Sequence, residues 1–377
     1  MYSPKYRVSN LILKYIGKIE ASKEVIENAP LVPAYEAKFR QEAIIRTVHH
    51  GTHIEGNALD SHDVAAVLDG EVKEVADMRD RDVQEVLNYR EVLKYIDKHQ
   101  SLRFSSSLNS IAGLKKGKSS FAKASEGLNE KDLLEIHRLT VEKVLSADRA
   151  GQYRQTQVVV KNSKTGEISF RPPEAGRVKK LVGEFLDWIN SPDAVEVHPV
   201  LLAGITHYAL AYIHPFVDGN GRASRAFATL VMFREGYDIK KFFSIEEYFD
   251  RDSKRYYETL QSVSNQDVKT LSERDLTVWL EYFCEGLAQE LERVKQKVLK
   301  LSLDSKLKGR TGQIVLSARQ VKLVEFMESY GSVNNKQWRT ILRDFSDDTI
   351  LRDLKDLQKK KLVKKKGSTK GAVYVLK

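Results

Sequence analysis

A single cysteine, Cys284, stands in this chain of 377 residues, so no intramolecular disulfide can form and the composition suits a reducing cytoplasm. Long apolar runs are missing too. No stretch approaches the length of a membrane span, and the opening Met1-Tyr-Ser-Pro-Lys-Tyr-Arg7 lacks the apolar core of a secretory signal. The expectation is a cytoplasmic, soluble protein with no membrane partner. No internal repeat stands out, and the length accommodates one large domain plus a small one.

What the chain does hold is concentrated in His214-Pro-Phe-Val-Asp-Gly-Asn-Gly-Arg-Ala-Ser-Arg225. A base, a carboxylate able to hold a metal, a glycine-rich turn and two arginines follow one another there. At about 5% per residue type, nine fixed positions arise by chance with probability on the order of 10^-12 per starting point, which removes coincidence as an explanation. Leu202, Ile205, Ala209 and Tyr212 recur at helical spacing before the motif, which predicts a buried helix over 200–213. Pro215 ends it and forces His214 out of the α region, leaving the imidazole free to face a cleft. A helix C-terminus favours imidazolium, so His214 is expected to titrate above an ordinary histidine.

Past Gly219-Asn-Gly221, the run from Arg222 to Glu235 reads as a second helix, ending before Gly236. The glycines therefore sit at a helix N-terminus. Unpaired backbone N–H groups and the positive end of the macrodipole make an anion site there, which glycine lets a phosphate approach closely. Arg222 and Arg225, three apart, rise from one face of the first turns toward the same anion. Asp218 can hold Mg²⁺ against it. The bland alternative, a structural histidine beside an ordinary helix connection, accounts for either piece alone but not for the complete motif between two helices.

These residues resemble the signature of the Fic family, His-Pro-Phe-x-Asp/Glu-Gly-Asn-Gly/Lys-Arg with a second arginine three residues on. Most Fic proteins are AMP transferases, so the resemblance implies transfer of AMP from ATP to a protein Ser, Thr or Tyr hydroxyl. It implies His214 as general base, Asp218 as Mg²⁺ ligand, and Gly219, Asn220 and Gly221 around the α-phosphate. Arg222 and Arg225 would take the β- and γ-phosphates. Phosphoryl-type transfers rest mainly on positioning and electrostatic stabilisation, which this set supplies. The sister Doc branch, which phosphorylates its target, carries Lys at the position of Gly221, and that favours AMP transfer here.

Upstream, His49-His-Gly-Thr-His-Ile-Glu-Gly-Asn57 resembles the family's inhibitory segment, Ser/Thr-x-x-x-Glu-Gly/Asn. By that resemblance Glu55 pairs with Arg225 and denies it to the γ-phosphate. An arginine fork matches a carboxylate or a phosphate but not both in one place. Gly51 stands where the pattern has Ser or Thr, and Thr52 lies one residue late. In some relatives the same glutamate supports removal of AMP, so Glu55 could also position a hydrolytic water. His49 and His53 lack the His-Glu-x-x-His arrangement of a zinc site and read as helix-end residues.

Softer pieces surround this site. Residues 151–160, the turn Asn162 to Gly166 and Glu167 to Pro173 read as a hairpin. It resembles the Fic flap, whose edge aligns a target segment by strand addition. By the same resemblance Val158, Val159 and Val160 line the nucleotide pocket, and Tyr256 and Tyr257 lie near the adenine. Aromatic residues on a helix are more often core. Asn265, preceded by Ser264, stands close to the family's adenine-binding asparagine.

Charge divides the chain. Residues 306–377 carry 18 Lys and Arg against 7 Asp and Glu, or +11, while the whole chain is +10. The tail reads as helices from Ser317, from Asn335 and from Asp347 to Lys360. A hairpin of Leu362 to Lys366, a Gly367 to Gly371 turn and Ala372 to Leu376 follows. Three helices and a wing resemble a winged helix-turn-helix domain. Ile350, Leu354 and Leu357 share one face of the third helix, and Arg352, Lys355 and Lys359 the other. A basic face beside Lys364 to Lys366 and Lys370 suits DNA, although charged faces are often merely solvated and winged helices also bind proteins.

The expected fold class is mainly α: a Fic-fold helical body with a β-hairpin flap, plus a small α+β winged-helix domain at the C-terminus. The expected division is N-terminal helices with the Glu55 segment over 1–100, a Ser- and Lys-rich flexible insertion over 101–127, a catalytic core over 128–300 and the winged helix over 301–377. The partners expected are ATP, a protein target with a modifiable hydroxyl, the protein itself included, and DNA. The oligomeric state stays open, with a homodimer compatible. A second class of function, a DNA-binding regulator whose Fic body senses ATP, is less favoured because a sensor has no need of His214.

Overall fold

The computed structural model describes residues 2–31, 33–70, 80–100, 127–161, 166, 168–309, 316–342, 345–367 and 372–377. The insertion expected at Ser101 to Gly127, except Gly127 itself, lies outside them, as do Lys370 and most of both hairpin turns.

The helices expected on both sides of the signature and in the tail form, and others surround them. α1 (Asn10–Asn28) is capped by Ser9, whose hydroxyl accepts from Ile12 N–H, and buries Ile12, Ile19 and Ile26. α2 (Pro33–His53) begins on Pro33, where a missing N–H costs nothing, and runs through Gly51. α3 (Ser61–Leu68) opens on an Asp60/Asp63 capping box. α4 (Asp80–His99) and α5 (Glu130–Thr140) follow, the latter capped by Asn129. After the hairpin strands β1 (Val160–Lys161) and β2 (Ile168–Phe170) come α6 (Val178–Ile189) and the single turn α7 (Pro192–Val195).

The centre is α8 (Pro199–Ile213), apolar on nearly every face and enclosed by protein. It packs on α9 (Asn220–Arg234), on α6 and on α12 (Thr277–Gly309). Gly204 is needed at the α8–α12 contact: a Cβ there would lie 2.8 Å from Leu280, and Trp279 Nε1 donates to its carbonyl at 2.7 Å. α10 (Ile245–Arg251) and α11 (Ser253–Ser264) complete the wall. One apolar cluster runs from Tyr2 to Val298, with α1 laid along α12, so the N-terminal helices share the core of the signature helices.

The hairpin is shorter than its sequence suggests. Val160 pairs with Phe170 and Lys161 with Ile168, and no ladder continues among the described residues. Side chains take the backbone groups instead: Gln157 Nε2 donates to Val158 and Pro172 carbonyls, and Arg154 takes those of Thr156 and Pro173.

The tail forms α13 (Ala318–Tyr330), α14 (Asn335–Ile341) and α15 (Asp347–Lys359), the first two opened by capping boxes. β3 (Val363–Lys366) and β4 (Val373–Leu376) pair antiparallel. Ile350, Leu354 and Leu357 are buried and Arg352, Lys355 and Lys359 exposed, as the helical period requires. This second core, built on Leu323, Met327, Trp338 and Tyr374, also takes in Ala34 and Ala37 of α2. Lys366 lies 3.7 Å from Asp69 of the body. None of the helices among the described residues is long and apolar enough to cross a membrane.

Candidate active site

The signature loop hangs between α8 and α9. His214 leaves α8 in a left-handed backbone conformation, φ 52°, ψ 60°, and Gly219 turns back at φ 75° to start α9. Asn220 clamps the loop closed: its Oδ1 accepts from Phe216 N–H and its Nδ2 donates to Phe216 C=O, both at 2.9 Å. Its side chain is thus occupied within the loop, and the helix N-terminus offers the backbone.

Nδ1 of His214 lies 3.3 Å from the Ala211 carbonyl. A carbonyl only accepts, so Nδ1 carries the proton and Nε2 keeps its lone pair. The expected rise in its pKa is not found. Burial pushes His214 down to about 4, partly offset by the Ala211 carbonyl and reinforced by the nearby Arg154 cation. The helix-end effect loses because the ring is largely enclosed, and the Glu55 and Asp218 carboxylates only temper the drop.

Arg222 and Arg225 are 2% and 1% exposed. Arg225 Nη2 donates to the Gly51 carbonyl at 2.9 Å and to Glu55 Oε1 at 2.8 Å. Burial opposes its charge, but Glu55 together with Tyr256, Tyr89 and Tyr257 more than offsets this, so its pKa is well above the ordinary value. Arg222 Nη1 lies 3.2 Å from Glu85 Oε1. Nε of both arginines and Nη1 of Arg225 are buried and make no hydrogen bond, although the Tyr89 and Tyr256 hydroxyls lie close to the Arg225 guanidinium. Buried donors of this kind are costly unless an acceptor arrives.

Glu55 stands in the turn that closes α2, held by Glu55 N–H to Thr52 C=O at 3.0 Å and by Gly56 at φ 92°. A Cβ on Gly221 would lie 2.1 Å from Glu55 Oε1, so the carboxylate rests directly on the α9 N-terminus. Gly51 has a local reason as well. A Cβ there would meet the Tyr89 ring at 2.5 Å, and its carbonyl is the second acceptor for Arg225. Thr52 spends its hydroxyl on the Val48 and His49 carbonyls. His50 and His53 both turn Nδ1 to Asp250, at 2.7 and 2.8 Å. The exposed Asp60 and His62 and the half-buried Asp63 lie close together, but Asp60 and Asp63 cap α3.

Asp218, 39% exposed at its side chain, receives Gly219 N–H on Oδ1 at 2.6 Å and Arg81 Nη2 on Oδ2 at 3.1 Å. Hard carboxylate oxygens at this depth fit a divalent cation such as Mg²⁺. Val158, Val159 and Val160 are half-buried on the hairpin. Tyr256 and Tyr257 separate: the Tyr256 hydroxyl meets His207 Nε2 at 2.9 Å within the aromatic core, whereas Tyr257, 39% exposed, donates to Ile54 C=O at 3.3 Å beside Glu55. Asn265 is exposed at the end of α11, and Ser264 turns to Tyr208.

Two buried residues that hold the loop carry no motif. His137 accepts Gly151 N–H on Nδ1 and donates from Nε2 to Asp218 C=O, both at 3.0 Å, with its ring stacked on Phe216 at 3.6 Å. Burial pushes it down to about 4, so it is neutral. Arg154 Nε donates to His214 C=O at 2.8 Å. A histidine inside an amphipathic helix and an arginine after Gly151-Gln-Tyr give no spacing signal for either role.

Residues 127–232 match the model of the Fic/DOC family, and the chain carries a Fic/DOC domain there. It is 27% identical over 263 residues to protein adenylyltransferase Fic of Nematostella vectensis, covering 70% of this chain and 53% of that protein. With the protein of the same name from Culex quinquefasciatus it shares 28% over 266 residues, 70% of this chain and 45% of the relative. With that of Drosophila willistoni it shares 31% over 231 residues, 61% and 40%. The chain thus spans about half the length of the curated relatives it matches. A Fic family protein from Desulfovibrio desulfuricans G20 has a similar fold, with TM-score 0.59 at 21% identity over 100% of this chain and 98% of that one. So has Fic-1 from C. elegans, with TM-score 0.56 at 21% identity over 78% and 73%.

Proposed function

We propose that this protein transfers AMP from ATP to a hydroxyl of a protein target and that Glu55 restrains the reaction. The observation that carries the reading is the pair of buried arginines, each with an Nε that makes no hydrogen bond, next to a neutral His214 and a helix N-terminus. Phosphate oxygens are acceptors of the right charge and planar reach for both guanidinium forks. Nε2 of His214 takes the hydroxyl proton as the oxygen bonds to the α-phosphorus and pyrophosphate leaves. Base catalysis adds about 10²–10⁴-fold, and a histidine neutral at neutral pH needs no prior deprotonation. Asp218 would hold Mg²⁺, which neutralises phosphate charge. The backbone N–H groups of Asn220 and Gly221 would face the α-phosphate, that of Gly219 being given to Asp218 Oδ1, and Arg222 and Arg225 the β- and γ-phosphates. Val158 to Val160 and Tyr257 are the lining residues nearest the nucleotide, whereas the burial of Tyr256 and the exposure of Asn265 favour neither as a direct contact.

Glu55 supports the restraint because its carboxylate occupies both Arg225 and the approach to Gly221. The same carboxylate could instead orient a water for removal of AMP. Intact-protein mass spectrometry after incubation with Mg²⁺ and ATP tests the assignment on wild type, Glu55→Gly and Glu55→Gly/His214→Ala. Gain of one AMP mass in Glu55→Gly alone is the expected result. Equal gain in the double variant removes His214 as base. No gain anywhere, with ATP bound, moves weight to an external target or to AMP removal.

A second reading concerns the tail, which we take as a winged helix-turn-helix domain. The exposed Arg352, Lys355 and Lys359 on α15, with Lys364 and Lys365 on β3, favour contact with nucleic-acid phosphates. The full chain is expected to bind duplex DNA with a steep salt dependence that Arg352→Glu/Lys355→Glu flattens. No binding at low salt removes this reading, with the DNA-regulator alternative.

A further inference from the structure

Arg154 is 2% exposed, and among the described residues its guanidinium pairs with no carboxylate. It is spent on three carbonyls: Nε on His214 at 2.8 Å, Nη1 on Thr156 at 3.2 Å and Nη2 on Pro173 in a short contact. Its own backbone N–H adds a fourth link, to Pro215 C=O at 2.9 Å. Burial accordingly lowers its pKa from the ordinary arginine value. A buried cation compensated only by carbonyl dipoles is an expensive way to fill space.

The three acceptors are not neighbours in the fold's logic. Thr156 precedes β1 and Pro173 follows β2, so two of the carbonyls are the two legs of the hairpin. The third belongs to His214, whose left-handed backbone is unfavourable for a residue with a Cβ and persists only where its surroundings hold it. Arg154 grips the two peptides that follow that strained position, His214 C=O with its side chain and Pro215 C=O with its backbone. The planar fork makes this one rigid unit, which a flexible ammonium cannot reproduce. The charged groups facing the imidazole are Arg154 from the hairpin leg, Glu55 from the turn after α2 and Asp218 from its own loop.

We propose that Arg154 is a positioning residue that ties the hairpin to His214, so that an extended target segment seated on the hairpin edge and the base that receives its hydroxyl proton are held by a single group. The inference rests on His214 being the base. Order in one part is then order in the other, and loosening either loosens both.

Hydrogen exchange of the full chain without nucleotide, read on residues 156–161, 168–173 and 212–218, tests the tie in wild type, Arg154→Lys and Arg154→Gln. Both variants should raise exchange in the hairpin and in the loop together, by about tenfold or more, with the α12 amides unchanged. Nuclear magnetic resonance of the His214 ring adds a readout that mere loss of packing would not divide between the variants. Arg154→Lys keeps a cation and leaves the titration midpoint near wild type, while Arg154→Gln moves it upward. Faster exchange in the hairpin with residues 212–218 still protected overturns the proposal, and so does an unmoved midpoint in Arg154→Gln. Should the Gln variant fail to fold, the Lys variant decides through the joint or separate rise. Absence of AMP transfer in a Glu55→Gly background, with and without the Arg154 substitutions, counts against the proposed reaction and leaves these nucleotide-free readouts standing.

Discussion

Removing Glu55 should change which nucleotide the protein prefers. Arg225 gives one Nη2 to Glu55 at 2.8 Å and keeps a bond to Gly51 C=O, so Glu55→Gly leaves the guanidinium in place but short of a charged partner. A γ-phosphate oxygen can then take the vacated donor, together with the unmatched Nε and Nη1. A hydrogen bond to a charged group contributes about 1.5–3 kcal/mol, which is roughly a 10- to 150-fold change in affinity. Only ATP has that phosphate. With Glu55 in place the γ-phosphate meets a carboxylate, and ATP and ADP should bind within about threefold of each other. Calorimetric titrations with Mg²⁺ and each nucleotide, made in a His214→Ala background to prevent turnover, give the ATP-to-ADP ratio directly. A ratio that rises by less than about twofold on Glu55→Gly refutes the competition between Glu55 and the γ-phosphate, whatever the two absolute affinities do.

Acid should loosen the fold through its buried histidines. His137 binds its proton near 6.5 when unfolded and near 4 when folded, so its stabilising effect is complete above the first value and lost as pH falls toward the second. Urea unfolding is expected to lose about 2 kcal/mol from this group between about pH 7 and about pH 5, and His137→Gln should flatten that slope. Gly51→Ser, which restores the residue type of the related motif, should lower stability by about 1–3 kcal/mol in the same assay because of the Tyr89 ring. Equal or higher stability would show that Tyr89 moves aside freely. Arg81→Ala releases an exposed guanidinium from Asp218 and should tighten Mg²⁺ binding to the ADP complex by up to about fivefold. Weaker Mg²⁺ binding would instead make Arg81 part of the phosphate site.

The helices were legible because each carries its own instructions. Pro33 at the start of α2, Asn129 before α5, Ser317 and Asn334 before the tail helices, and Gly219 at the turn into α9 are local signals that need no tertiary partner. Where the core ends was not local. The residues before 100 looked separate, yet α1 lies along α12 and one apolar cluster spans them. Nor could periodicity reveal that α2 belongs to two cores, with Ala34 and Ala37 under α13 and Gly51 under Tyr89. The titration of His214 was misjudged for the same reason. A helix end is visible in sequence, but enclosure by a distant hairpin leg is not.

The parts of the site that could be read are those that act through side chains on a ligand, and the parts that could not are those that act on backbone. His214, Asp218, Arg222 and Arg225 fall within one twelve-residue stretch because a tight turn between two helices brings them to one anion, so spacing alone exposes them. His137 and Arg154 recognise peptide groups: Asp218 C=O and Gly151 N–H in one case, the His214, Thr156 and Pro173 carbonyls in the other. Every residue offers such groups, so no residue type at the far end marks the partner. Glu55 stands between the two classes. Its pairing with Arg225 is a side-chain contact and follows from charge, but its reach depends on Gly51, where the backbone carbonyl shares the same guanidinium nitrogen. A serine or threonine at 51 would add a hydroxyl that the pairing does not use and a Cβ that Tyr89 does not admit. The departure from the motif is therefore a feature of this chain's packing, and the Glu55–Arg225 contact is complete without the missing hydroxyl.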